Sequence, residues 1–133
     1  PECQTLMPLL GPELANVLQS CALGCLDKAP ELFISNLCSA CVVAAASGYP
    51  EAPRSGDLIN IDIQLNKSLQ LFHAGTKCNE KKEIRTSGGR VFSIVAQGES
   101  FDAAFNDAYK GLAKIHFEGI NYRRDIGHQV RKF

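Results

Sequence analysis

The stretch Val91-Phe92-Ser93-Ile94-Val95-Ala96-Gln97-Gly98-Glu99-Ser100-Phe101-Asp102-Ala103-Ala104-Phe105 changes its hydrophobic period halfway along, and that change sets the fold class. Residues 91–96 are an apolar run of strand length and give the best strand signal in the chain. Ser100 follows as an N-cap residue, whose hydroxyl can accept from the first free N–H groups of a helix. Phe101, Ala104, Phe105, Ala108, Leu112 and Ile115 then recur at helical spacing, and Gly119 is a residue on which a helix can stop. The pattern predicts a long helix lying on a strand.

Working outward, the segments before this pair read as further short strands. Ser87-Gly88-Gly89-Arg90 punctuates, and Asn79-Glu80-Lys81-Lys82 makes a polar turn into residues 83–86, which suggests a hairpin. Residues 69–73 read as a short strand ending in Phe72-His73-Ala74-Gly75-Thr76, and residues 58–65 alternate apolar and polar side chains. Residues 49–57 hold two prolines and a glycine and predict an exposed loop. Val42-Val43-Ala44-Ala45-Ala46 closes a buried strand over 36–46. Before it, residues 3–10 and 12–23 read as helices, with Pro12 and Glu13 suited to a first turn and Pro30 blocking continuation. The class is α+β: a small, mainly antiparallel sheet packed by one long helix, with a helical preface. The division falls between residues 1–35 and residues 36–133.

At 133 residues the chain is long enough for one domain, and its 45% hydrophobic and 21% charged composition is that of a globular protein. No apolar run reaches the ~18 residues of a membrane span, and no signal sequence opens the chain, so no membrane partner is expected. Basic and acidic residues balance at 14 each, which argues against a nucleic-acid binder. The balance hides an asymmetry: residues 1–57 carry two basic and six acidic side chains, the remainder twelve and eight. An anion site belongs to the later part. The chain opens on Pro1 without an initiator methionine, which points to a piece of a longer protein.

The six cysteines admit three readings. Cys21 and Cys25 with Cys38 and Cys41 have spacings that could supply four thiolates to zinc, or pair as disulfides. Against both, Cys21 and Cys25 share an apolar helical stripe with Leu14, Val17 and Leu18, and residues three apart on a strand point to opposite faces. Buried free thiols without metal, and hence a cytoplasmic protein, are the expectation.

Two clusters have the chemistry of an anion site. In Ser87-Gly88-Gly89-Arg90, paired glycines let backbone N–H groups approach an anion and Arg90 adds a planar fork; a turn with a solvated arginine is the alternative. In Tyr122-Arg123-Arg124-Asp125-Ile126-Gly127-His128, one arginine can pair with Asp125 while the other faces a site; a salt bridge with surface charge is the alternative. Arg131 and Lys132 extend the basic character of this end. His73 ends a strand, where a loop can expose it or a hydrogen bond can hold it. No nucleophile–base–acid set, catalytic carboxylate pair or phosphate-binding loop motif stands out.

Six blocks are more specific together than apart: Pro1-Glu2-Cys3-Gln4 with Met7-Pro8-Leu9-Leu10, Ala46-Ser47-Gly48-Tyr49-Pro50, Phe72-His73-Ala74-Gly75-Thr76, Gly88-Gly89-Arg90-Val91, Ile115-His116-Phe117-Glu118-Gly119, and Tyr122 to His128. In this order they resemble the C-terminal end of the phosphoribosylamine–glycine ligase (glycinamide ribonucleotide synthetase) family, ATP-grasp enzymes of purine biosynthesis. The resemblance implies that residues 1–35 are the last helices of the ATP-grasp core and residues 36–133 the family's C-terminal domain. It implies activation of glycine's carboxylate by ATP as an acyl phosphate and attack by the amine of 5-phosphoribosylamine. ATP and Mg2+ would be held mainly by the upstream part and not by this chain, which alone would be inactive and would carry no catalytic residue. Arg124, in an Arg-x-x-Gly-His pattern, is the first choice for the ribose phosphate and Arg123 the second. Arg90, Gly89, His73 and Thr76 are carried over as loop residues that meet the substrate.

Residues 51–69 match the family's usual pattern poorly, and an end soon after His128 favours a stand-alone ligase over a multifunctional one. Two other functions compete. A self-standing phosphate or ribonucleotide binding module keeps the anion corner without the ligase, and a zinc-stapled or oligomerising unit makes the domain structural.

Overall fold

The computed structural model describes residues 1–130; Arg131 and Lys132 lie outside the described residues. The preface comprises helix α1 (Glu2–Leu6), a 3-10 turn at Met7–Leu9, helix α2 (Leu14–Ala22) and a second 3-10 turn at Leu26–Lys28. Strand β1 (Cys38–Ala45) follows, then β2 (Asn60–Ile61), β3 (Leu69–His73), β4 (Thr76–Cys78), β5 (Ile84–Thr86) and β6 (Arg90–Gly98). Helix α3 (Phe101–Leu112) and strand β7 (Ile115–His116) complete the order.

The central sheet is antiparallel in the order β1-β6-β3, with Val42 opposite Ile94 and Leu71 also opposite Ile94. Alternation along β6 and β1 puts Phe92, Ile94, Ala96, Val42 and Ala44 in one buried cluster with Ala104, Phe105, Ala108 and Leu112 of α3. Small residues at 104 and 108 let α3 approach the sheet closely, and Phe92 meets Phe117 edge-on at 5.9 Å. The Ser100 hydroxyl accepts from the Ala103 N–H, as expected of an N-cap. The opposite face of the sheet is covered by the chain's start, where the Gln97 side-chain amide donates to the Pro8 carbonyl.

Several details differ from expectation. The helix does not run to Gly119 but stops at Leu112, because Ile115, buried on the same apolar stripe, instead pairs as a strand with Ile61. An interior glycine, Gly111, lowers the helical preference just before that point. Of residues 58–65 only Asn60–Ile61 form a strand, and the first helix gives way at Met7 to a tighter turn containing Pro8. The two-stranded pairs β4-β5 and β2-β7 stand apart from the central sheet. The thiols are free but not buried: Cys3, Cys21 and Cys78 are exposed and Cys25, Cys38 and Cys41 half-buried.

Candidate functional site

Two adjoining concavities, of about 630 and 360 Å³, open beside the end of the central sheet and share Pro1, Val43, Tyr49 and Arg90 in their walls. Three loop segments build this recess. The first is residues 47–57, which carry Tyr49, Pro50 and Pro53 into the larger part. The second is Gly88-Gly89-Arg90, entering β6. The third is Asn121-Tyr122-Arg123, which lines the smaller part.

Local hydrogen bonding places each segment. Ala45 and Asn121 exchange backbone hydrogen bonds at 2.7 and 3.0 Å, so the segment beyond β7 is led back to the end of β1. The Gly89 carbonyl accepts from Ala46 N–H and the Arg90 carbonyl from Gly75 N–H, each at 2.8 Å. Neither the Gly88 nor the Gly89 N–H donates to a protein acceptor among the described residues. Gly89 is glycine for a steric reason: a Cβ there would stand 2.4 Å from Cδ2 of the Tyr49 ring.

The expected site residues are brought together in part. Arg90, Gly89 and Arg123 line the recess. Arg124 lines neither concavity; its guanidinium lies 5.4 Å from the centroid of the Tyr122 ring, and it makes no ion pair among the described residues. Arg123 rather than Arg124 is spent on Asp125, through a two-pronged pair at 2.9 and 2.5 Å. His73 and Thr76 are engaged with each other, Nδ1 and Oγ1 lying 3.0 Å apart, and only Ala74 of that loop reaches the recess. Sequence reasoning missed Tyr49 and Pro1 as wall residues. The signal for Tyr49 was an aromatic side chain in a loop otherwise built of Gly, Pro and charge.

Helix α3 holds the arginine segment from below. Tyr109 Oη donates to the Arg123 carbonyl at 2.9 Å and accepts from Ile126 N–H at 3.3 Å, and the Tyr109 and Tyr122 rings lie 6.3 Å apart. Burial pushes the Cys41 thiol up from its ordinary range, so this wall residue of the recess stays protonated at neutral pH.

The hydrogen bonds from Arg123 hold the Asp125 carboxyl at about 2, against a usual 3.8. A depressed folded value contributes stability above the usual carboxylate range that is lost as pH falls toward 2. Following the Asp125 carboxyl carbon by NMR, we expect titration near 2 and no loss of the pair at pH 4. Arg123→Ala should return the midpoint toward 3.8; a midpoint already there in the unaltered protein would show that the pair does not form in solution.

Among the described residues no group of three or more His, Cys, Asp or Glu side chains is placed to hold a metal ion. No helix among them is long and apolar enough to cross a membrane.

The family model described as "Phosphoribosylglycinamide synthetase, C domain" matches residues 39–129. The phosphoribosylamine–glycine ligase of Synechocystis is 41% identical over 98% of this chain, which spans 31% of that protein. The bifunctional purine biosynthetic protein ADE1 of Schizosaccharomyces pombe is 40% identical over 98% of the chain, which spans 16% of it. The human trifunctional purine biosynthetic protein adenosine-3 is 37% identical over the full chain, which spans 13% of it. The crystal structure of phosphoribosylamine–glycine ligase from Thermotoga maritima superposes with a TM-score of 0.80 at 31% identity, covering 94% of this chain and 30% of that one. The chain thus spans less than a third of the length of each of these relatives, which include single-activity and multifunctional proteins alike.

Proposed function

Because the chain belongs to the phosphoribosylglycinamide synthetase C-domain family, we propose that it is the C-terminal part of an ATP-dependent ligase joining glycine to 5-phosphoribosylamine in purine biosynthesis, and that it supplies the ribose-phosphate side of the site. The observation that carries the reading is the family match over a region whose recess gathers Arg90 and Arg123, with Arg124 stacked on Tyr122 of the recess wall. Arg123 is already neutralised by Asp125, so its part is to shape the wall. Arg90 and Arg124 form no ion pair among the described residues and retain their charge for a phosphate. A guanidinium fork gives a phosphate two charge-assisted hydrogen bonds, and the open Gly88 and Gly89 N–H groups add neutral donors beside Arg90. His73 and Thr76, joined to each other, hold the neighbouring turn in shape.

ATP and Mg2+ belong, on this reading, to the part of the ligase upstream of Pro1. When bound there, they supply the activation of glycine's carboxylate; the present residues orient the phosphorylated amine. Residues 1–35 are the last helices of that core. Their surface supports this: of thirteen exposed large hydrophobic residues among the described residues, eight lie between Leu6 and Leu37, with Leu23 at 72% and Phe33 at 66% exposure. Helix α2 buries none of its residues, although its apolar stripe is that of a packed helix. An upstream lobe of the same protein is the partner that covers it. A cytoplasmic setting agrees with six unpaired thiols.

The test is a ligation assay with purified proteins. The full-length protein should form glycinamide ribonucleotide from glycine, 5-phosphoribosylamine and MgATP, while residues 1–133 alone should neither ligate nor hydrolyse ATP. Phosphate-bearing ligands bound by a full-length protein that ligates nothing would support the binding-module reading instead.

A further inference from the structure

Outside the recess, one side chain ties two of its three walls together. Arg54 Nε donates to Asp57 Oδ2 at 2.9 Å, and its Nη2 lies 2.9 Å from Asp57 Oδ1. The same Nη2 donates to the backbone carbonyl of Glu118 at 3.2 Å. The carboxylate it grips is itself anchored. Asp57 N–H donates to Thr86 Oγ1 at 3.0 Å, Thr86 N–H donates back to the Asp57 carbonyl at 2.9 Å, and Thr86 is buried. Arg85 adds a hydrogen bond of 2.6 Å to the Gly56 carbonyl.

The consequences run to the recess in two directions. Arg54 N–H donates to Ser47 O at 2.8 Å and Ala52 N–H to Gly48 O at 2.9 Å, closing residues 47–54 into a compact loop with Tyr49 at its tip. The Glu118 carbonyl sits in the turn just before Asn121, whose bonds to Ala45 launch Tyr122 and Arg123 into the second wall. Ser47 packs against Gly119 in that turn, where a Cβ would come within 2.6 Å of the Ser47 Cβ. One guanidinium therefore fixes the Tyr49 loop to β5 and to the turn that precedes the arginine segment. It lines neither concavity.

We propose that Arg54 is a positioning residue for the phosphoribosylamine site: it holds Tyr49 against Gly89 and sets the width of the recess between Tyr49 and the arginine segment. This rests on the reading of the recess as that site. Neither function nor burial alone marks Arg54, whose guanidinium is half-exposed. What marks it is the geometry of a bidentate pair that also reaches a distant backbone carbonyl, which the single ammonium of lysine cannot reproduce.

The experiment uses the full-length ligase and a double-variant comparison of Arg54→Ala with Tyr49→Ala. Because small displacements of a positioning loop weaken substrate contacts steeply, Arg54→Ala should raise KM for 5-phosphoribosylamine about tenfold with KM for ATP unchanged. Tyr49→Ala should have an effect of similar size. Because Arg54 acts through Tyr49, the double variant should be no worse than the poorer single variant. Arg54→Lys, which keeps the charge beside Asp57, should fold normally and still show a raised KM for 5-phosphoribosylamine. An unchanged KM in Arg54→Ala or Arg54→Lys, or effects that multiply in the double variant, would overturn the positioning role. Arg90→Ala separates the two levels. If neither Arg90→Ala nor Tyr49→Ala moves the constant, the recess is not the site and the proposal falls with it.

Discussion

Replacing Arg124 by alanine in the full-length ligase is expected to raise the apparent KM for 5-phosphoribosylamine roughly ten- to a hundredfold, the loss of one charge-assisted contact to a phosphate. The apparent KM for ATP should stay within about twofold, because on the proposed reading ATP and Mg2+ are held by the part of the ligase upstream of Pro1. The reason for choosing Arg124 over its neighbour is electrostatic. Arg123 already spends both prongs on Asp125, whereas Arg124 only stacks on Tyr122 and can turn its donors outward without breaking an ion pair. Arg124→Lys keeps the charge but loses the fork, so it should recover only part of the affinity. If Arg124 is merely a stacked surface residue, neither substitution will move the phosphoribosylamine constant.

A second large effect is expected at Gly127, the glycine of the Arg-x-x-Gly-His pattern. Its φ is +81°, and a Cβ there would stand 2.1 Å from Cε2 of Phe105. Alanine would meet both penalties: the left-handed backbone costs roughly 1–2 kcal/mol, and forcing the buried Phe105 ring aside about 1–3 kcal/mol more. Gly127→Ala should therefore lower the thermal midpoint of the domain by on the order of 10 °C and weaken phosphoribosylamine binding by displacing the segment from 121 to 126. Gly127→Asn separates the causes. Asparagine tolerates positive φ better than alanine but carries the same Cβ, so equal damage from both points to the Phe105 contact. A melting curve unchanged by either would show that residues 126–128 do not pack on α3 in solution.

This second case shows how much of the site could be read from the chain. The Arg-x-x-Gly-His spacing was legible as a motif, but the reason for its glycine was not, because Phe105 lies 22 positions away and reaches Gly127 only through the packing of α3. Strand β3, strand β6 and the Ser100 cap were legible because each rests on local pattern. The end of α3 was not. Ile115 satisfies the helical stripe as well as it satisfies pairing with Ile61, and only the tertiary partner decides between them. Likewise Arg90 was visible as a charge beside two glycines, while the fit of Gly89 against Tyr49 depends on a contact across forty residues. The apolar stripe of α2 was read correctly as a stripe, yet within these residues it has little to pack against. Composition alone cannot tell a core face from a face meant for a lobe elsewhere in the protein.

The most direct test is a crystal structure of the full-length protein with glycinamide ribonucleotide bound. The phosphate should lie in the recess between Tyr49, Gly89 and Tyr122, within hydrogen-bonding distance (about 2.7–2.9 Å) of the guanidinium of Arg124 or Arg90. A phosphate held wholly by residues upstream of Pro1, with these arginines facing solvent, would contradict the assignment of the ribose-phosphate side to this chain.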